Sequence, residues 1–265
     1  MKILIYANYF LTIRYIESYL LLRMDITVKT PEEGIFLAKV AEQAERYEDM
    51  LIFLKPVIAK TEELQIEERN LVSVAYKNLS GTKRTAWRAL TAIEENPKYA
   101  KYHEKTKVYK KKIEEELKEI CSDAIKTIDN ALYKYATSTE SKVFYLKMKA
   151  DYYRYTGEVC AGEELKTVSD KAQKNYEEAK VIADSLPETD PVRIGLALNF
   201  SVFLYEIRKR PKEACDMAKA AFDSAISKLQ DLDEDKYKDS TAIMQLLKDN
   251  LTLWSAELGE EEGEK

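Results

Sequence analysis

Between Ser141 and Glu158 the chain reads SKVFYLKMKADYYRYTGE, and this stretch narrows what the protein can fold into more than any other. Lys147, Asp151, Arg154, Tyr155 and Glu158 stand at offsets 0, 4, 7, 8 and 11. At 3.6 residues per turn these offsets fall on one stripe of an α-helix. A core face would be apolar along that stripe, and a plain solvent face has little use for a tyrosine among charges. The stripe therefore predicts a helix that carries a prebuilt polar site, which other helices must leave uncovered.

The rest of the chain agrees with long helices. Only 7 glycines and 6 prolines interrupt 265 residues, 34% of which are charged. Apolar residues at i, i+3 and i+4 recur from Pro31 onward, and the expected fold is all-α, with nine antiparallel helices. Thr30, Pro31 and Glu33 form a helix start, as do Asp190 and Pro191. Helices are predicted near 31–44, 47–61, 66–95, 98–133, 141–158, 163–185, from 191, from 211, and 236–256. Pro56 falls inside the second. Gly81 interrupts the third, which suggests a place where something packs close to the backbone. No repeat of fixed period is present, so the array is not a repeat solenoid.

Both ends read differently. Residues 1–30 form an atypical N-terminal extension, with an uncharged run from Ile3 to Ile13 that is too short to span a bilayer. Lys2 before an apolar run resembles a signal peptide, but no small-x-small cleavage site follows. Met24 as the native start, an extra apolar helix and a flexible arm remain open. Residues 257–265 are rich in Glu and Gly and are expected to form a disordered acidic tail after a helical domain spanning 31–256.

Several function classes are excluded by composition. A net charge of −5 argues against nucleic acid as the main partner. The only histidine, His103, makes a zinc hydrolase or a Ser-His triad untenable. Cys121, Cys160 and Cys215 match no metal spacing and read as reduced thiols of a cytosolic protein. There is no Gly-rich phosphate loop and no nucleophile elbow, and neither catalysis nor a cofactor is expected.

What remains is a set of cations. Lys77, Arg84 and Arg88 share a face of the third helix, a spacing that by itself also fits three solvated side chains. If the third and fifth helices pack side by side, Lys77, Arg84, Arg154 and Tyr155 form three fixed cations and a hydroxyl. That set matches a doubly ionised phosphate ester, because the guanidinium fork gives paired charge-assisted hydrogen bonds. Asp151 and Glu158 would orient it, and Lys147 is grouped with the peptide-binding residues. Asn199 and Asn250 suit contacts to a peptide backbone, and Leu198, Val202, Ile243 and Leu246 would make an apolar wall opposite. One wall grips charge and the other grips side chains, as phospho-motif readers do. The alternative is a helical scaffold binding acidic, unphosphorylated peptides.

The runs AEQAERYEDM, RNLVSVAYKN, SKVFYLKMKADYYRY, LNFSVF and KDSTAIMQLLKDNLTLW closely resemble the 14-3-3 proteins, and the likeness covers Glu33 to Ala256. The resemblance implies a cup-shaped protomer with a concave amphipathic groove that dimerises through its first four helices. It also implies an adaptor that binds phosphoserine or phosphothreonine segments of client proteins and regulates their activity or location. It places Lys77, Arg84, Arg154 and Tyr155 on the phosphate, and Asn199 and Asn250 on the peptide backbone. Asp151, Glu206 and Trp254 fall on further groove positions. At the seam, Arg46, Asp49, Lys112 and Glu116 match positions where relatives form intersubunit ion pairs. The implied partners are phosphorylated clients and a second subunit, the same chain or a related isoform, with no nucleic acid and no membrane span. Ala86 replaces a serine whose phosphorylation weakens dimers of relatives, and Ala242 replaces a larger groove residue.

Overall fold

The computed structural model describes residues 26–60, 62–232 and 234–263. The question of the N-terminal extension up to residue 25 lies outside these residues. Among those described there are nine α-helices and no strand. They are α1 (Pro31–Gln43), α2 (Tyr47–Ile58), α3 (Ile66–Glu95), α4 (His103–Thr127), α5 (Thr139–Glu158), α6 (Gly162–Ala183), α7 (Pro191–Glu206), α8 (Pro211–Ile226) and α9 (Glu234–Gly263). The helix expected over 98–133 is divided. A 3-10 turn, Pro97–Tyr102, leads into α4, and a π-turn, Ile128–Leu132, unwinds its end. Helix α9 continues to Gly263 past the expected end at Ala256, since the Glu-rich run that follows is itself a good helix former.

The helix starts follow local chemistry. The Thr30 hydroxyl accepts from the Glu33 N–H at 3.3 Å, and the Glu33 carboxylate accepts from the Lys29 N–H at 2.8 Å. Asp190 accepts from the N–H groups of Val192 and Arg193 at 2.8 and 3.3 Å, with Pro191 at the first position of α7. Helix α5 is fixed twice. Ser138 caps it by accepting from the Ser141 N–H at 3.1 Å, and Glu63, from the α2–α3 connection, accepts from Thr137 and Ser138. Partial burial works to raise the Glu63 pKa, but hydrogen bonds from Ser141, Thr137 and Ser138 overcome it and hold the carboxylate at about 2.

Two apolar cores lie along the chain, and α5 belongs to both. Tyr145, Met148 and Tyr152 enter a core shared with α1–α4, whose fully buried members include Met50, Leu54 and Leu117. Val143, Leu146 and Ala150 enter a second core with α6–α9, built around Tyr176, Phe203 and Leu247. Two opposed faces of α5 are thus committed to packing, and the polar stripe between them faces the cavity described below.

Two glycines test how closely helices approach. A Cβ at Gly34 would lie 2.5 Å from the Phe53 carbonyl oxygen, so only glycine lets α1 pack on α2 at this point. Gly81 shows the opposite: nothing lies within 4 Å of where its Cβ would be, which corrects the expectation of close packing there. Gly81→Ala should therefore stabilise the fold by roughly 0.5–1 kcal/mol. Gly34→Ala should destabilise it by about 1–3 kcal/mol. Chemical denaturation of both variants checks the contrast.

Candidate functional site

The polar stripe of α5, the middle of α3 and the inner faces of α7 and α9 enclose a cavity of about 690 Å³. Lys77 from α3, Lys147, Asp151 and Tyr155 from α5, Leu198 and Asn199 from α7, and Ile243 and Leu246 from α9 all line it. The α3 and α5 side supplies Lys77, Lys147 and Asp151, and the α7 and α9 side supplies Leu198, Ile243 and Leu246 together with Asp190, Lys236 and Asp239.

Asp151 organises the charged wall. It is only 6% exposed, yet it meets four partners. Lys147 Nζ lies 3.1 Å from Oδ2, the Asn199 amide donates to Oδ2 at 2.8 Å, the Tyr176 hydroxyl donates to Oδ1 at 2.5 Å, and Arg154 Nη2 stands 3.6 Å away. Burial alone would raise its pKa, but Lys147, Arg154 and the Tyr176 hydroxyl overcome this and hold the carboxyl below its ordinary value. Burial works against the Arg154 charge too, yet Tyr176, Tyr155 and Asp151 around it hold its pKa well above the usual range.

Arg84 on α3 reaches the same place. Its Nε and Nη2 donate to the two carboxylate oxygens of Glu158 at 2.8 and 2.7 Å, a bidentate fork joining α3 to α5. Arg154 Nη1 and Arg88 Nη2 stand 3.7 and 3.6 Å from the same carboxylate. The Arg84 guanidinium sits 4.0 Å from the centre of the Tyr155 ring and that of Arg154 4.7 Å. Neither arginine lines the 690 Å³ cavity itself; both come to it through Tyr155, which does. Burial raises the Tyr155 pKa despite the nearby cations, so its hydroxyl stays a hydrogen-bond donor at neutral pH. Lys77 is exposed and forms no ion pair among the described residues.

Arg84, Arg154 and Tyr155 are therefore neighbours where α3 meets α5, and Lys77 lines the same cavity as Tyr155. Among those expected to hold the peptide, Val202, Glu206 and Asn250 fall outside the cavity. Trp254 is placed differently from the expectation. It is 4% exposed, stacked on Tyr205 at 4.6 Å, and belongs to the second core. An indole this large on the inner side of α9 gains more from burial than from a wet groove.

The sequence reading also missed residues. Tyr176 is not among the residues the sequence singles out, although its hydroxyl touches both Asp151 and Arg154, the latter at 3.3 Å. A tyrosine in the apolar stripe of α6, otherwise rich in alanine, was the available signal. Asn70 and Ser73 line the cavity as well, seven and four residues before Lys77, the same helical spacing that singled out Lys77 and Arg84.

A family model described as 14-3-3 protein matches residues 37–255. The chain belongs to the 14-3-3 family. Similar proteins include 14-3-3-like protein 1 of Caenorhabditis elegans, 53% identical over 89% of this chain and 96% of its own length. The 14-3-3 protein beta/alpha-1 of Oncorhynchus mykiss is also 53% identical, over 86% of this chain and 94% of its own. The 14-3-3-like protein B of Hordeum vulgare is 52% identical over 88% and 92%. Members of the 14-3-3 family are phosphopeptide-binding adaptors without catalytic activity, and the family forms dimers. No helix among the described residues is long and apolar enough to cross a membrane.

Tyr176→Phe removes one hydroxyl from this cluster and leaves Asp151 and Arg154 buried with a partner fewer. Thermal and chemical unfolding should show a loss of about 1–3 kcal/mol.

Proposed function

We propose that Lys77, Arg84, Arg154 and Tyr155 hold the phosphate of a client's phosphoserine or phosphothreonine, and that the cavity beside them takes the flanking peptide. One observation carries this reading: two guanidinium groups from different helices meet on the ring of one tyrosine, and that tyrosine lines a cavity together with a lysine that forms no ion pair among the described residues. A dianionic phosphate with three acceptor oxygens suits that set, since it satisfies all the donors at once. Asn199, held at 2.8 Å by Asp151, has its side-chain amide fixed in orientation and is suited to a backbone contact. Leu198, Ile243 and Leu246 take the apolar side chains next to the phosphorylated residue. Lys147 and Asp151 position the cations, while Val202, Glu206 and Asn250 meet peptide farther along the groove. No chemistry on the client is involved; its activity or location changes because it is held. The cytoplasm is the compartment that fits such a role.

Arg84→Glu and Lys77→Glu should each abolish binding of a phosphoserine peptide in calorimetry while circular dichroism stays unchanged. Retained affinity in both would overturn the assignment. The same peptide without phosphate should bind at least 100-fold more weakly, the difference expected when charge-assisted bonds to a dianion are lost. Equal binding would favour a scaffold for acidic peptides.

We infer further that two copies associate through α1–α4, either identical chains or this chain with a related isoform. Phe36 and Val40, one turn apart on α1, are 65% and 50% exposed, and Val108 and Tyr109 on α4 are 71% and 55% exposed. Large apolar side chains left exposed a turn apart on α1, with two more on α4, suit a protein interface. The seam charges are paired within the chain: Arg46 with Asp49, and Glu116 with Lys83 at 2.6 Å and Lys112 at 3.7 Å. They lie close enough to the surface to exchange partners with a second subunit. Two linked sites raise avidity for doubly phosphorylated clients by about 10²–10⁴-fold where geometry allows. Phe36→Glu should convert the protein to monomers in sedimentation velocity, and a dimer unchanged in that variant would place the interface elsewhere.

A further inference from the structure

The corner where α3 gives way to α4 is built from lysine and tyrosine in alternation. Asn96 ends α3, and its side-chain oxygen accepts from the Lys98 N–H at 3.0 Å. Its carbonyl accepts from the Tyr99 N–H, also at 3.0 Å, and Pro97 takes the first position of the 3-10 turn Pro97–Tyr102. Such a turn holds three residues per revolution, so side chains three apart stand in line. Lys98 is therefore in line with Lys101, and Tyr99 with Tyr102. An edge of two ammonium groups runs beside an edge of two phenol rings.

The two edges interlock. Lys98 Nζ lies 5.5 Å from the centre of the Tyr99 ring, and Lys101 Nζ lies 4.8 Å from that of Tyr102. The rings are nonetheless 37% and 48% exposed. Lys105, one helical turn beyond Lys101, carries the lysine edge into α4. Every residue from 95 to 105 is exposed, so the corner stands out from the body of the protein.

Its charge is not cancelled locally. The turn packs against α3 and α4, and the acids at those two ends are Glu94, Glu95 and Glu104. Glu94 is taken by Lys110, with His103 at 3.7 Å. Lys98, Lys101 and Lys105 form no ion pair among the described residues, and neither do Lys107 and Lys111 farther along α4. Only Glu95 and Glu104 are left to answer those five. The corner is thus positive on a chain whose net charge is −5.

We propose that this corner docks on the surface of an anionic lipid bilayer, with Lys98, Lys101 and Lys105 among the headgroups and the rings of Tyr99 and Tyr102 at the headgroup boundary. The cations are all lysines. A lysine is a point charge suited to a diffuse negative surface, whereas gripping one phosphate in a fixed place calls for the guanidinium fork. Exposed tyrosines suit the boundary, which takes up the ring and leaves the hydroxyl wet. A protruding turn, unlike a groove, can reach a flat surface. The contact lies on the bilayer and does not span it. Val108 and Tyr109, assigned above to the subunit seam, take no part, and nothing here rests on the phosphate site.

Co-sedimentation of the full-length protein with vesicles provides the test. Phosphatidylcholine vesicles with about one third phosphatidylserine should bind at least about tenfold more tightly than phosphatidylcholine alone. Salt at about 1 M, where the screening length is about 3 Å, should remove the difference. Lys98→Glu, Lys101→Glu and Lys105→Glu made together should weaken binding by about tenfold or more, with the circular dichroism spectrum unchanged. A contact made by residues 1–25 would survive these three changes, so the variant separates the two. Tyr99→Ser with Tyr102→Ser should weaken binding about threefold or more while the lysines remain. Binding should persist with a phosphoserine peptide in excess. Equal binding to both vesicle types, undiminished binding of either variant, release of the vesicles by the peptide, or their displacement by single-stranded oligonucleotide at equal phosphate concentration would each overturn the proposal.

Discussion

The buried carboxylate of Asp151 is the interaction on which the rest of the structure depends. An ionised carboxylate taken out of water is stable only if its lone pairs are answered. Here they are answered from three helices: by Lys147 and Arg154 of α5, Tyr176 of α6 and Asn199 of α7. Each partner is in turn fixed by the carboxylate. One charge thereby sets the depth of Arg154, the orientation of the Asn199 amide and the position of α6 against α5. Breaking such a network from one side leaves a buried charge unpaired, which is why its members act together.

Glu158 has the complementary role at the edge of the same site. Three arginines close together would repel one another and draw counterions. The carboxylate of Glu158, forked to Arg84 and within 4 Å of Arg88 and Arg154, offsets part of that repulsion. It also ties α3 to α5, so the cationic groups are pre-positioned. Donors held in this way lose their conformational freedom on folding, which suits them to the phosphate proposed for this site. Tyr155 joins the two halves, with its ring against both guanidiniums and its hydroxyl kept protonated by burial.

Helix α5 can hold this site because it is buried on two opposed faces, one in each core. A helix packed on only one side would be free to roll, and its polar stripe would not keep a fixed direction. The cap at its start serves the same end, with Glu63 reaching across from the α2–α3 connection to bind Thr137 and Ser138.

The helical repeat of apolar and polar residues, the capping residues at Thr30 and Asp190, and the shared face of Lys77 and Arg84 were legible in the sequence. They depend on spacings of three to eight residues, within which a helix has little freedom. The division of the fourth helix by turns at 97–102 and 128–132 was not legible, because neither break carries a strong local signal beyond Pro97. The burial of Trp254 and the open space at Gly81 were not legible either, since both depend on what a distant segment places opposite them. By itself the sequence determined the all-α class, the family and which side chains carry charge on which helical stripe. Only the tertiary structure decided that Tyr176 completes the site from α6 and that Glu158 holds Arg84. Those outcomes join residues tens of positions apart, and they arise when helices close on one another and buried charges must find partners.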